Sequence, residues 1–522
     1  MKQTDAALLA AAVGAHQNGE FERAETLYRR ILDRCPDHAG ALHLLGLLRF
    51  QHGEQDSGLA CVRRAVAIDP RNAPARSNLG NMLRELGRAG EAVPLLREAV
   101  RLDANFAPAL VNLAAALEEE GDLDEAAGFL RRAIRLWPGD ARIRTNLGNV
   151  LQKQGRNQEA WQCFEEALRL DPNLAEAHNS LGTALEQLGR WEEALSRYEQ
   201  AVRLKPDLAG AHVNRAMAWL RMGDFERGWP EYEWRLRRPP GPLWKGEPLA
   251  GKTILLRAEQ GLGDTIQFVR YAAKVQAGGA RVLLECPARL APLMAAVDGI
   301  DAVFPVGAAL PHFDAQAFLM SLAGVFETRL ETIPARTPYL HVGEEWITRW
   351  RRRIGQAPNR LRVGLVWSGN PKYSYNLRRS LRLADFAALA RLPRVALFSL
   401  QRGPQSAELR HAPPGFAVTS LEDEAGGILD TAAAILNLDL VITVDTMAAH
   451  LAGALGRPVW VLLPCAADWR WQLQREDSPW YPTMRLFRQP RPGDWTPVME
   501  RVVRDLNKLL DSADLSAVEA IR

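Results

Sequence analysis

Three short runs in this chain carry residue types that do chemistry together. The first is Glu259-Gln260-Gly261-Leu262-Gly263-Asp264, set between the apolar run Thr253-Ile254-Leu255-Leu256 and an apolar-periodic stretch from Thr265 to Ala277. Strand, glycine turn and helix in that order aim backbone N–H groups and a helix N-terminus at a ligand. Asp264, at the predicted helix start, is either a helix cap or a catalytic base. A dinucleotide fingerprint would need a third glycine where Ile266 stands, so Gly261 and Gly263 do not read as an NAD turn.

The second run is Val363 to Lys372, a strand entering a loop of small residues that continues to Arg378-Arg379-Ser380. Ser368, Gly369 and Asn370 can present N–H groups. Lys372, Arg378 and Arg379 can neutralise a diphosphate, the arginines bidentately, or they form a solvated basic loop. The third is Asp439 to Gly456, which reads strand, cap, helix. Asp445 or Thr446 would cap the helix, and the N–H groups of Thr446, Met447 and Ala448 would face phosphate. Thr446 and His450, four apart, share a helix face. The plainer reading is an ordinary capped helix with a half-buried histidine.

Such loops need a scaffold. Beyond Gly251, apolar runs alternate with helical stretches. Strands are predicted at Thr253–Arg257, Arg281–Glu285, Ala302–Pro305, Leu361–Trp367, Val395–Leu400, Leu438–Val444 and Val459–Leu463. Helices are predicted near 316–326, 346–354, 383–392, 429–436 and 447–455. That alternation implies parallel sheets with flanking helices, here two Rossmann-like lobes, 252–343 and 344–522, with ligands at the carboxyl ends of the strands.

The first half is periodic instead. Gly19, Gly53, Gly87, Gly121, Gly155, Gly189 and Gly223 recur every 34 residues. Pro36, Pro70, Pro138, Pro172 and Pro206 keep the period, with Ala104 replacing one. Ala24, Ala92, Ala126, Ala160 and Ala194 follow five after their glycines, and Tyr28, Leu96, Leu130, Phe164, Tyr198 and Tyr232 follow nine after. The pattern resembles the tetratricopeptide repeat (TPR): small residues where paired helices cross, a bulky one beside them, a proline ending the second helix. Seven windows fit over 1–238, starting near Asp5, Ala39, Ala73, Ala107, Ala141, Ala175 and Ala209. The fold class is therefore α + α/β, an all-α superhelix followed by the two lobes. Asn78, Asn112, Asn146 and Asn214, with Ser180, form one polar column. It either clamps the backbone of an extended peptide or bonds between neighbouring helices. The O-GlcNAc transferases that carry TPRs have a similar asparagine ladder. Residues 239–251, with Pro239-Pro240-Gly241-Pro242 and aromatics on both sides, read as a packed joint.

The bulk numbers narrow the classes. Lys and Arg total 65 against 62 Asp and Glu, a balance of +3 that implies neither nucleic acid nor a membrane surface. The five cysteines have no metal-like or disulfide-framework spacing, which fits a reducing cytoplasm. Asp430 and Asp439 interrupt the apolar 428–444 stretch, so no transmembrane segment is expected.

Together the three loops resemble glycosyltransferase family 9, the bacterial ADP-heptose–lipopolysaccharide heptosyltransferases, over roughly 252 to 510. That resemblance implies a GT-B fold. It implies that Asp264, closing the Gly263-Asp264 pair, activates an acceptor hydroxyl, with Gln260, Gly261 and Gly263 forming the acceptor loop. Arg379, with Lys372 and Arg378, corresponds to the family's basic residue after the first strand of the C-terminal lobe. The family's Asp-Thr-Gly-Pro-Met-His-Leu-Ala is matched at Asp445, Thr446, His450, Leu451 and Ala452. The chain departs from it with Met447-Ala448-Ala449. The implied activity is metal-independent sugar transfer from a nucleotide-sugar substrate, without a further cofactor, to an acceptor such as a protein held by the array. The competing expectation is a non-catalytic TPR interaction scaffold carrying a degenerate transferase domain.

Overall fold

The computed structural model describes residues 2–236, 241–355, 360–371, 376–412, 415–421 and 426–511. Lys372 lies outside them, as do Pro239 and Pro240. Two compact units are resolved, one up to Ala184 and one from Leu185 onward.

The first unit is a stack of antiparallel helix pairs, beginning with Lys2–Gln17 and Phe21–Arg34. Ala39, Ala73, Ala107, Ala141, Ala175 and Ala209 are each the first residue of a helix, and the first helix starts three residues before Asp5. The seven periodic glycines all have positive φ, between 73° and 93°, a conformation that costs glycine little and reverses the chain between paired helices. The periodic prolines stand two residues past the ends of second helices such as Gln55–Ile68 and Leu123–Leu136. Ala24, Ala92, Ala126 and Ala160 are fully buried at the crossings. In the second pair this column holds Gly58, where a Cβ would come within 2.6 Å of the Gly46 carbonyl oxygen.

The second unit opens with the remaining helix pairs, the last being Ala209–Arg221 and Phe225–Tyr232. It continues into two wholly parallel sheets. Strands β1 (Thr253–Arg257), β2 (Arg281–Cys286), β3 (Ala302–Pro305) and β4 (Ala315–Phe318) lie in the order β3-β2-β1-β4. Strands β5 (Leu361–Val366), β6 (Val395–Ser399), β7 (Val418–Ser420), β8 (Leu440–Val444), β9 (Val459–Leu463) and β10 (Met484–Arg488) lie in the order β7-β6-β5-β8-β9-β10. Counted within each sheet these orders are 3-2-1-4 and 3-2-1-4-5-6, the doubly wound pattern whose ligand crevice opens at the carboxyl ends of the strands. Every residue of β8 and β9 is buried, as strands covered on both faces must be.

Two predicted helices differ, and three elements are additional. The helix expected over 316–326 is strand β4 followed by a 3-10 turn and the short Leu322–Val325 helix. Ala315-Gln316-Ala317-Phe318 is only four residues long, too short for periodicity to separate a strand from a helix. The helix expected from Thr265 begins at Leu262 and breaks into Leu262–Phe268, a 3-10 turn and Ala272–Ala277, so Asp264 lies inside its first turn. Strands β7 and β10 and the Thr496–Asp511 helix were not anticipated. Where described, the joint is packed. Trp244 N–H donates to the Gln316 carbonyl (2.8 Å), and its ring meets Phe326 edge-on at 6.0 Å.

Candidate functional site

The Glu259–Asp264 turn leaves the carboxyl end of β1, and the Asp445–Thr446 step leaves that of β8. Gly263 meets the His450 ring so closely that a Cβ would come within 2.7 Å of its Cδ2. The glycine is thus required by close approach rather than by its turn. Gly263→Ala should cost about 1–3 kcal/mol, the usual range for overpacking a filled site, read as a lower urea midpoint at unchanged slope.

Asp264 is held from both sides. Its Oδ2 accepts from Gly261 N–H at 2.7 Å, closing the first helical turn. Its Oδ1 is ion-paired with the Arg470 guanidinium. Arg470, only 7% exposed, also donates to Asp468 Oδ1 (2.8 Å) and Gln267 Oε1 (2.6 Å), and its guanidinium lies 4.5 Å over the Trp469 ring. Burial opposes its charge, but Asp468 and Asp264 outweigh burial and hold it firmly protonated. The carboxylate therefore braces its own turn with one oxygen and pairs with a cation through the other.

The Asp439–Gly456 run folds as predicted, β8 then a Met447–Ala454 helix. Thr446 occupies the N-cap position, yet its hydroxyl bonds Thr443 Oγ1 at 3.1 Å and makes no cap bond to the first helical amides. Arg379 Nη1 donates to the Asp445 carbonyl at 2.7 Å, bringing the basic loop to this helix start. The buried Arg379 Nε has no acceptor among the described residues. His450 is buried, bonded through Nδ1 to Tyr481 Oη (3.1 Å) and stacked on Trp471. Burial first and Arg470 second push it down to about 3, so it is neutral. Asp445 is pushed up to about 6, chiefly by burial and the nearby Asp468 charge, against the pull of Arg379.

These two shifts oppose each other. Between about pH 3 and 6.5 the unfolded chain protonates a histidine that the folded chain keeps neutral, so stability rises with pH. Between the ordinary aspartate value of 3.8 and about 6 the folded chain keeps a proton on Asp445 that the unfolded chain releases, so stability falls with pH. Asp445→Asn removes the falling contribution. Relative to the parent, its unfolding free energy should gain up to ~3 kcal/mol from pH 4 to pH 6, at 1.36 kcal/mol per unit, read by urea titration at each pH.

Several predicted groups take other roles. Ser368 N–H donates to Gln401 Oε1 (2.9 Å) and Gly369 N–H to Ser380 Oγ (3.3 Å), so both amides expected at phosphate are satisfied within the protein. Gly369 instead gives room to Arg379, whose Nη2 would lie 2.7 Å from a Cβ there. Asn370 and Arg378 are engaged in contacts of their own. Gln260, in the left-handed region at φ 57°, donates its amide to Tyr232 Oη at 3.2 Å. In the asparagine column, Asn78 bonds the His43 ring (2.9 Å) and Asn112 donates to Ser77 Oγ (3.0 Å). Those two take the inter-helix role rather than a free clamp. Asn146 has Val111 at the equivalent place and lacks that partner, while Asn214 has a partner of its own. Arg470 and Asp468 were missed, although Trp469-Arg470-Trp471 stands out in composition.

Family models described as tetratricopeptide repeat match residues 9–73, 75–102, 105–173 and 139–207. The helical array is built of tetratricopeptide repeats. Protein FlbA of Caulobacter vibrioides (strain ATCC 19089 / CIP 103742 / CB 15) is 28% identical over 298 residues, 51% of this chain and 48% of FlbA. The chain thus spans about half the length of this curated relative. Among solved structures, PilF of Pseudomonas aeruginosa is 22% identical over 41% of this chain and 98% of its own, with a TM-score of 0.37. YrrB, described as a TPR protein with an unusual peptide-binding site, is 23% identical over 35% and 95%, with a TM-score of 0.30. Among the described residues no helix is long and apolar enough to cross a membrane, and no group of His, Cys, Asp and Glu could hold a metal ion.

Proposed function

We propose that the two parallel sheets form a GT-B-type glycosyltransferase module in the 252–343 and 344–522 lobes, and that the TPR array presents a protein or peptide acceptor to it in the cytoplasm. The observation that carries this reading is the pairing of opposite chemistries at the strand ends. Asp264 after β1 supplies a carboxylate. Arg379 and the uncapped amides at Met447 supply an anion cradle after β5 and β8.

In this mechanism Asp264 takes the proton of an acceptor hydroxyl. The hydroxyl oxygen forms a bond to the anomeric carbon, and the bond from that carbon to the nucleotide diphosphate breaks, its electron pair leaving on the phosphate oxygen. Arg379 Nε, which has no acceptor among the described residues, and the first helical amides receive that negative charge, electrostatic work done by preorganised donors. Arg470 holds the Asp264 carboxylate in place through Oδ1. Neutral His450 adds no charge and fills the space against Gly263.

A thermal-shift panel of ADP, GDP and UDP sugars tests the reading. A cognate donor at 100 times its Kd should stabilise by about 2.7 kcal/mol, and a flat panel would sink it. The scaffold reading draws on one specific observation, that both Asp264 oxygens are already engaged. A flat panel together with peptide binding by the array would favour it.

A further inference from the structure

The last TPR helix pair is built into the candidate site. Trp229 Nε1 donates to the Thr328 carbonyl at 2.8 Å, and its ring meets Trp469 edge-on at 5.4 Å. Arg221 Nε reaches the Ala467 carbonyl at 3.3 Å. At the end of the pair, Tyr232 Oη accepts from Gln260, and Arg235 forks onto Glu259 at 3.0 and 2.6 Å while also donating to Ser321 Oγ. Both gripped residues belong to the turn that ends in Asp264. Gln260 itself holds a left-handed φ of 57°, a strained conformation for a residue with a Cβ that persists only where its surroundings enforce it. The same helix pair therefore touches the Glu259–Gly263 turn on one side and the loop bearing Arg470 on the other.

We infer that Tyr232 and Arg235 are positioning residues of the transfer reaction, holding the turn through the Gln260 and Glu259 side chains so that Asp264 is aimed at the acceptor hydroxyl; the inference rests on the proposed function for its catalytic part only. Neither touches substrate. Each acts through the turn, so the terminal repeat is part of the machinery rather than a spacer before it.

Two arms of one experiment on the full-length chain test this. Tyr232→Phe removes only the hydroxyl, and Arg235→Lys keeps the charge but loses the fork. Amide exchange at Gly261, whose N–H is bonded to Asp264, should become about 5- to 10-fold faster in both, the change expected on losing one hydrogen bond. Amides of the central strand β2 and those of Trp234→Ala, a change in the same segment without a bond to the turn, should stay at parent rates. In the transfer assay kcat should fall about tenfold with donor KM unchanged, because the donor groups lie in the other lobe, and Arg235→Lys should retain more activity than Arg235→Gln. Parent exchange rates at Gly261 in both variants would overturn the inference. If the parent transfers no sugar, the proposed function fails, and the exchange arm still decides whether this helix pair sets the Asp264 turn.

Discussion

Arg470→Met is expected to lower the unfolding free energy by about 3–5 kcal/mol at pH 7, the cost of leaving buried charges without their partner. The guanidinium is 7% exposed and serves Asp264 and Asp468 at once, with Asp445 close enough for the Asp468 charge to raise it. Removing it leaves Asp264 and Asp468 without their shared partner, next to Asp445. Protonation then relieves the repulsion, so the deficit should shrink as the pH is lowered from 7 to 5, opposite to ordinary acid destabilisation. Adding Asp264→Asn to Arg470→Met should recover part of the loss, because the two sites share one ion pair and are not additive. Urea unfolding of the parent, both single variants and the double variant at the two pH values measures all of this. A loss below about 1 kcal/mol would place the pair among solvent-screened surface contacts and contradict its burial.

Asp264→Asn has the other large effect. Asparagine keeps one oxygen, which can still accept from Gly261 N–H and brace the turn, but its NH2 cannot accept from Arg470 and the amide cannot take a proton. Sugar transfer should fall by about 10²–10⁴-fold, the usual contribution of general base catalysis. The stabilisation by the cognate nucleotide should be unchanged, because Arg379 and the Met447 helix start are untouched. Parent-level transfer by this variant would remove Asp264 from the chemistry and leave it a helix-bracing residue.

What the sequence made legible follows from how local each constraint is. The repeat glycines need a positive φ at one backbone position, and the alanines need one small side chain at one crossing, so both repeat visibly. The Gly261–Asp264 turn and the Asp445–His450 step were readable because strand, turn and helix are contiguous. Arg470 was not, since its decisive partner lies 206 residues away and nothing in a tryptophan-flanked arginine names that partner. The amides of Ser368 and Gly369 were misassigned for the same reason: Gln401 is 33 residues downstream of Ser368, and only the fold brings it there. The asparagine column shows a subtler limit. Its period was plain, but whether an amide faces a groove or a neighbouring helix depends on the residue 35 positions earlier, which is His43 for Asn78, Ser77 for Asn112 and Val111 for Asn146.

The embedding of the last helix pair also bears on how the chain is made. Repeat arrays fold progressively, each pair docking on the one before as it leaves the ribosome, and they normally end in a polar cap. Here Leu220, Phe225, Trp229 and Tyr232 belong to the same buried cluster as Trp469 and Trp480. Arg221 waits for a carbonyl 246 residues further along. At 5–20 residues per second, that carbonyl emerges roughly 10–50 s after Arg221. During that interval the aromatic face that meets Trp469 and Trp480 is without those two partners.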